Sequence, residues 1–317
     1  MKLRPLGKTG LEIAPLVFGG NVFGWTADEA RSFELLDAFV DAGFNAIDTA
    51  DVYSRWVDGH TGGESETIIG RWLKAKPSRR QQVLLFTKVG ADMGSGRTLG
   101  ARWIEQAVEA SLKRLGTDVI DLYQSHWPDP STPHEDTLAA YERLLKAGKV
   151  RAIGCSNFSA EQLAASLTAA REHGVPAYQT LQPEYNLADR ASYDGPLRDL
   201  ALREGLGVIT YYSLASGFLS GKYRSEADLK RSVRGKSVVA KYLNPRGLRI
   251  LEALDQVGQR LDAQPAEVAL AWLMQREGVT APIASATSVE QLKSFTKAAA
   301  LVLAPADVKA LDAASAP

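Results

Sequence analysis

One cysteine is all that 317 residues contain, together with only four histidines. A lone Cys155 cannot close an intramolecular disulfide, which fits a reducing compartment. It ends an apolar strand and reads as a small buried hydrophobe rather than a reactive thiol. His60, His126, His134 and His173 show no metal-ligand spacing, so no metal is assigned. Charge of one sign is missing as well, because 37 basic side chains offset 37 acidic ones. Neither nucleic acid nor an anionic membrane surface has an electrostatic reason to bind such a chain. No apolar run approaches the ~20 residues that a membrane helix needs. Near the N-terminus, Lys2 and Arg4 precede a segment broken by Pro15, which does not read as a signal peptide. A soluble, cytoplasmic protein with a small-molecule partner is expected, and no segment specifies an oligomeric state.

Short apolar runs recur instead, with segments of helical period between them. They lie at 16–20, 44–50, 83–88, 119–126, 150–157, 178–182, 207–212 and 281–286. The intervening amphipathic stretches are 26–42, 65–75, 100–115, 137–147, 160–173, 193–204 and 288–300, with Gly43, Gly116, Gly148 and Gly174 placed to close helices. Eight strands alternating with helices over 1–317 predict one α/β domain, a (β/α)8 TIM barrel. Ahead of the first strand, the apolar pieces 3–6 and 11–14 flank Gly7-Lys8-Thr9-Gly10 and predict a hairpin that plugs the barrel floor. After strand seven comes the basic stretch 215–246, expected to be a long lid loop and followed by two helices rather than one.

In such a barrel the C-terminal strand ends hold the active site. Asp48, Lys88 and His126 end three successive strands, and Tyr53 sits one short loop beyond the second. Each alone reads as an ordinary loop residue or cap; the four together do not. A free Tyr holds its proton to a pKa near 10, so positive charge from Lys88 is expected to ease its release. Asp48 would hold that ammonium in place. His126 could donate a hydrogen bond to a substrate oxygen as negative charge develops there. This pattern suits protonation of a carbonyl oxygen while another group delivers a hydride.

The segments Gly43-Phe44, Asp48-Thr49-Ala50, Tyr53, Gly63-Glu64-Ser65-Glu66 and Gly70, then Thr87-Lys88, Ser125-His126-Trp127-Pro128-Asp129 and Gly154-Cys155-Ser156-Asn157, closely resemble the aldo-keto reductase superfamily. His-Trp-Pro-Asp and the run 215–222 are similar to its bacterial and potassium-channel-β-subunit-like branch. The resemblance runs nearly end to end. It implies a barrel that binds NADPH at the strand C-termini, and no Gly-x-Gly-x-x-Gly follows a strand here. By the same resemblance, Tyr53 is the general acid, and Ser156, Asn157 and Gln182 hold the nicotinamide carboxamide. Tyr211 would stack on the ring, and Gly20, Asn21 and Asp48 would lie along the cofactor. Ser213, Leu214, Gly217 and Lys222 would wrap the pyrophosphate, with Lys222 as counter-charge. Ser285, Thr287 and Gln291 would meet the adenosine end.

Two departures stand out. Tyr211-Tyr212-Ser213-Leu214 replaces the usual Tyr-Ser-Pro-Leu, and Thr287 and Phe295 stand where an Arg and an Asn are common. NADH is therefore possible beside NADPH/NADP+. Trp25, Trp56 and Trp127, in loops at the barrel top, would suit an apolar or aromatic carbonyl substrate. The expected reaction is NADPH-dependent reduction of aldehydes or ketones to alcohols, reversibly. A nucleotide-sensing regulatory subunit with slow turnover and an oxidative sugar or polyol dehydrogenase are the alternatives.

Overall fold

Parallel strands rich in Val, Ile, Leu and Phe bury both faces, so they close on themselves and gather helices outside. The structure is a computed structural model and describes residues 1–94 and 96–316. A short antiparallel hairpin comes first, β1 (Arg4–Pro5) with β2 (Glu12–Ile13). Eight strands then form a closed parallel barrel: β3 (Val17–Gly19), β4 (Ala46–Asp48), β5 (Leu84–Val89), β6 (Ile120–Ser125), β7 (Val150–Ser156), β8 (Thr180–Gln182), β9 (Gly207–Thr210) and β10 (Ala281–Ala284). β10 pairs with both β3 and β9, which completes the closure. Every barrel strand falls inside an apolar run named above, except that β5 extends one residue past its run, to Val89.

Helices α1 (Glu29–Asp41), α2 (Glu64–Ala75), α3 (Ala101–Leu115), α4 (His134–Lys146), α5 (Ala160–His173) and α6 (Pro196–Glu204) follow the first six barrel strands in turn. Their starts and stops are chemical. Asp28 accepts the Arg31 amide ahead of α1, Ser159 and Gln162 form a reciprocal cap on α5, and Gly116 and Gly174 end α3 and α5 with φ of 62° and 66°.

After β9 the expected lid loop takes a different form. Residues Ala215–Ser220 and Glu226–Arg231 make 3₁₀ turns, and α7 (Gly235–Tyr242) follows before α8 (Pro245–Leu261) and α9 (Pro265–Met274). The basic residues hid an apolar stripe: Phe218, Leu219, Tyr223, Val238 and Tyr242 are buried in the main core, and that burial gives the segment its structure. α10 (Val289–Ala300) and α11 (Pro305–Ala314) complete the chain. Among the described residues, no helix is long and apolar enough to cross a membrane.

Two cores result. The larger lies between barrel and helices; the smaller, inside the barrel, joins Val17, Ala46, Phe86, Leu122, Ala152 and Ile209 to Leu6, Leu11 and Ile13 of the hairpin segment. Arg4 ties that segment to the wall by donating to Met274 O at 2.8 Å and Thr280 O at 3.0 Å.

Candidate active site

Strand side chains alternate, so a residue two places past an interior one also faces the interior. Ala46, Phe86 and Leu122 belong to the interior core, and Asp48, Lys88 and Gln124 follow them at that spacing. Apolar layers therefore give way to polar groups at the C-terminal rim.

Lys88 organises them. Its Nζ donates to Asp48 Oδ2 at 2.5 Å, to the Thr49 carbonyl at 2.9 Å and to Tyr53 Oη at 2.9 Å. All three donors of the ammonium are used, as a charge without water contact requires. Burial opposes the charge, but Asp48 and Tyr53 outweigh it, and the Lys88 pKa lies above the ordinary value. The other Asp48 oxygen, Oδ1, accepts from Gln182 Nε2 at 2.9 Å and from Gln124 Nε2 at 3.3 Å. Gln182 also donates to Gln124 Oε1 at 3.2 Å.

Tyr53 departs from the sequence expectation. Burial lifts its phenol to about 12, and Lys88 pulls it down without overcoming that. The group is an acid that keeps its proton at neutral pH. His126 faces it with ring centres 6.0 Å apart. Burial, then the charges of Lys88 and Arg97, holds the imidazole well below its usual pKa, so the ring is neutral at neutral pH. Its Nδ1 is buried with no partner among the described residues.

Around this centre stand most of the other expected residues. Asn157, at a left-handed φ of 63°, donates to the His126 carbonyl at 2.9 Å and accepts from Tyr211 Oη at 2.6 Å. Ser156 Oγ donates to the Gln182 carbonyl at 2.7 Å. Ser285 Oγ lies 2.7 Å from the Gly19 carbonyl and 2.6 Å from Asn21 Oδ1, while the Gly20 carbonyl accepts from Ser65 Oγ at 2.7 Å. Ser213 Oγ donates to the Thr210 carbonyl, and the Leu214 carbonyl accepts the Gly217 amide. Thr287 and Gln291 bond to each other, amide to Oε1, at 2.8 Å. Phe295 is buried in the main core.

The turn after β9 is strained. Tyr212, Ala215 and Ser216 hold φ of 52°, 49° and 55°, and such non-glycine positions cost roughly 1–3 kcal/mol each. Lys222 Nζ lies 3.3 Å from where a Cβ on Gly217 would stand. Three cations of the basic stretch depart from the sequence reading: Arg224 pairs with Asp255, Arg231 with Asp228, and Lys241 with Glu184 and Asp189. Those cations serve the fold, because the stretch brings or meets carboxylates of its own.

Three tryptophans surround the mouth. Trp56 meets Tyr53 edge-on at 6.0 Å and Trp25 at 5.6 Å, and Trp127 stacks beside His126 at 6.2 Å. Two residues escaped the sequence reading. Gln124 was legible, since it lies two places before His126 on the same strand face. Asp51, 3% exposed and without a partner for Oδ1, is pushed up to about 7 by burial and by Glu66, and no local pattern marks it. Cys155 is buried, and burial pushes its thiol pKa up, as suits a small core residue.

Comparison with known proteins points the same way. The aldo/keto reductase family model matches residues 15–316. The uncharacterized oxidoreductase YrpG of Bacillus subtilis (strain 168) is 35% identical over 96% of this chain and 92% of its own length. The aldo-keto reductase YhdN of the same organism is 34% identical over 98% of this chain and 92% of its own. A probable voltage-gated potassium channel subunit beta of Arabidopsis thaliana is 31% identical over 94% and 91%.

Proposed function

This chain belongs to the aldo/keto reductase family and is an oxidoreductase, and from that premise we propose that it reduces aldehydes or ketones to alcohols with NADPH as cofactor. The observation that carries the reading is the Tyr53 hydroxyl 2.9 Å from a Lys88 ammonium anchored on Asp48, with neutral His126 across the mouth.

The residues present suit a nicotinamide dinucleotide. Ser156 and Asn157 lie beside Tyr211 with amide and hydroxyl groups for a carboxamide. The strained turn 212–217 with Lys222 against Gly217 suits a diphosphate, since left-handed backbone is held at a cost only where something uses it. When bound, the cofactor supplies the hydride that reaches the carbonyl carbon.

The chain's own residues do the rest. Tyr53 Oη holds a proton until negative charge grows on the carbonyl oxygen, then donates it. Lys88 stabilises the phenolate left behind, and Asp48, fixed by Gln182 and Gln124, keeps the ammonium aimed at Oη. A neutral His126 donates an N–H to the same oxygen without bringing a competing charge. Alcohol oxidation is the same path reversed.

Replacing Tyr53 by Phe tests the assignment. NADPH titration by tryptophan quenching should give an unchanged Kd, while turnover of 4-nitrobenzaldehyde falls about 10²–10⁴-fold. Retained turnover would remove Tyr53 from the acid's role. The same titration with NADH tests the cofactor: the two differ only in the adenosine 2′-phosphate, so a tighter Kd for NADPH supports the proposed cofactor and equal Kd values would remove that preference. The likeness to a channel subunit beta favours a second reading, a cofactor sensor, which requires tight NADPH binding without turnover of any carbonyl.

A further inference from the structure

Two guanidinium groups at the mouth stand outside the ion pairs of the described residues, although the Asp92 carboxylate lies within electrostatic reach of Arg97. Arg97 lies over the Trp127 ring with its Cζ 4.1 Å from the centroid, and Arg234, from the segment after β9, lies over Trp25 at 4.6 Å. Neither makes an ion pair or a side-chain hydrogen bond among the described residues. Elsewhere in the same basic stretch, Arg224, Arg231 and Lys241 are paired. Arg234 is also partly desolvated, and burial lowers its pKa although Tyr212 and Tyr223 lie near.

Each of these two sits at the outer end of a chain of rings that leads to a reacting group. One chain runs Arg234, Trp25, Trp56, Tyr53, and the other Arg97, Trp127, His126. Arg97 is close enough for its charge to reach His126. A guanidinium that contacts an indole without a hydrogen-bond partner keeps its N–H donors free, and they match a carboxylate bidentately. An apolar mouth with two cationic rims that form no ion pair among the described residues discriminates by charge as well as shape.

Resting on the proposed reductase reading, we infer that the physiological carbonyl substrate is anionic: an aldehyde or ketone whose body packs on the tryptophans and whose carboxylate is held by Arg97, with Arg234 adding positive charge from the Trp25 side of the mouth. The tryptophans alone would accept a neutral aromatic aldehyde. Arg97 adds a second anchor, and its distance from Tyr53 and His126 selects which carbonyl carbon reaches the reacting groups.

The test compares kcat/KM for 4-carboxybenzaldehyde and benzaldehyde in the full-length protein. The wild type should favour the carboxylated aldehyde by about 10- to 100-fold, the range of one or two charge-assisted contacts. That preference should shrink as salt is raised. Arg97→Gln should collapse the ratio toward one and Arg234→Gln should lower it less, both through KM more than kcat, with the NADPH Kd unchanged. Equal rates for the two aldehydes in the wild type would overturn the inference while leaving the reductase reading in place; no turnover of either would strike that reading itself. A weaker NADPH Kd in Arg234→Gln with both aldehydes slowed alike would assign that guanidinium to a cofactor phosphate and also overturn it.

Discussion

Tyr53 and Asp51, two positions apart, both hold protons that an exposed residue of their kind would hold less firmly. For Tyr53 the consequence is kinetic. Reduction needs the phenol protonated, so kcat/KM falls as pH rises through its pKa. With burial lifting that value to about 12, the profile should lack an alkaline limb below about pH 10. A limb centred near 8 would mean that Lys88 outweighs burial. For Asp51 the consequence is thermodynamic. Its folded pKa of about 7 lies above the ordinary 3.8, so the folded state binds the extra proton between those limits. Stability from this group therefore falls as pH rises from about 4 to about 7 and is lowest above that. Asp51→Asn should stabilise the protein at pH 8, by up to about 4 kcal/mol, and leave it near wild type at pH 4. Urea melts at both values check this; equal midpoint shifts at the two would refute it.

Elements were legible where one physical signal dominated. The stretch 160–173 reads as a helix because Ser159 caps it and Gly174 ends it, and the helix observed is Ala160–His173. The strands were legible as apolar runs, and Asp48, Lys88 and His126 as their polar ends. Legibility failed where a signal needs a neighbour to be understood. Residues 215–246 looked like a charged loop, since the partners of Arg224 and Lys241 lie far along the chain at Asp255 and Glu184. The elevated Tyr53 pKa was missed for the same reason: sequence shows Lys88 but not the burial that outweighs it. Gly70 lay in the recognised motif without a cause. In the structure it is where α2 meets α3, and a Cβ there would stand 2.1 Å from the Arg114 carbonyl. Arg114 also binds Glu66 at 2.6 Å, and Glu66 accepts from Thr87 of β5 at 2.6 Å. Gly70→Ala should push α2 off this junction and cost about 1–3 kcal/mol in thermal or urea unfolding.

For the whole molecule, the hairpin segment is the piece whose removal tells most. Leu6, Leu11 and Ile13 are 0%, 3% and 0% exposed, and burying such side chains contributes about 1.5–3 kcal/mol each. A chain starting at Ala14 should lose roughly 5 kcal/mol in urea unfolding, since the loss also opens the interior core to water. A loss below about 1 kcal/mol would mean that the barrel floor closes unaided.

That stopper also sets the order of traffic. With the far end filled by leucine and isoleucine, everything that meets Lys88 must come and go through one doorway. Whichever settles deeper enters first and leaves last. Were the proposed dinucleotide seated beneath the proposed carbonyl compound, the alcohol would depart before the spent cofactor.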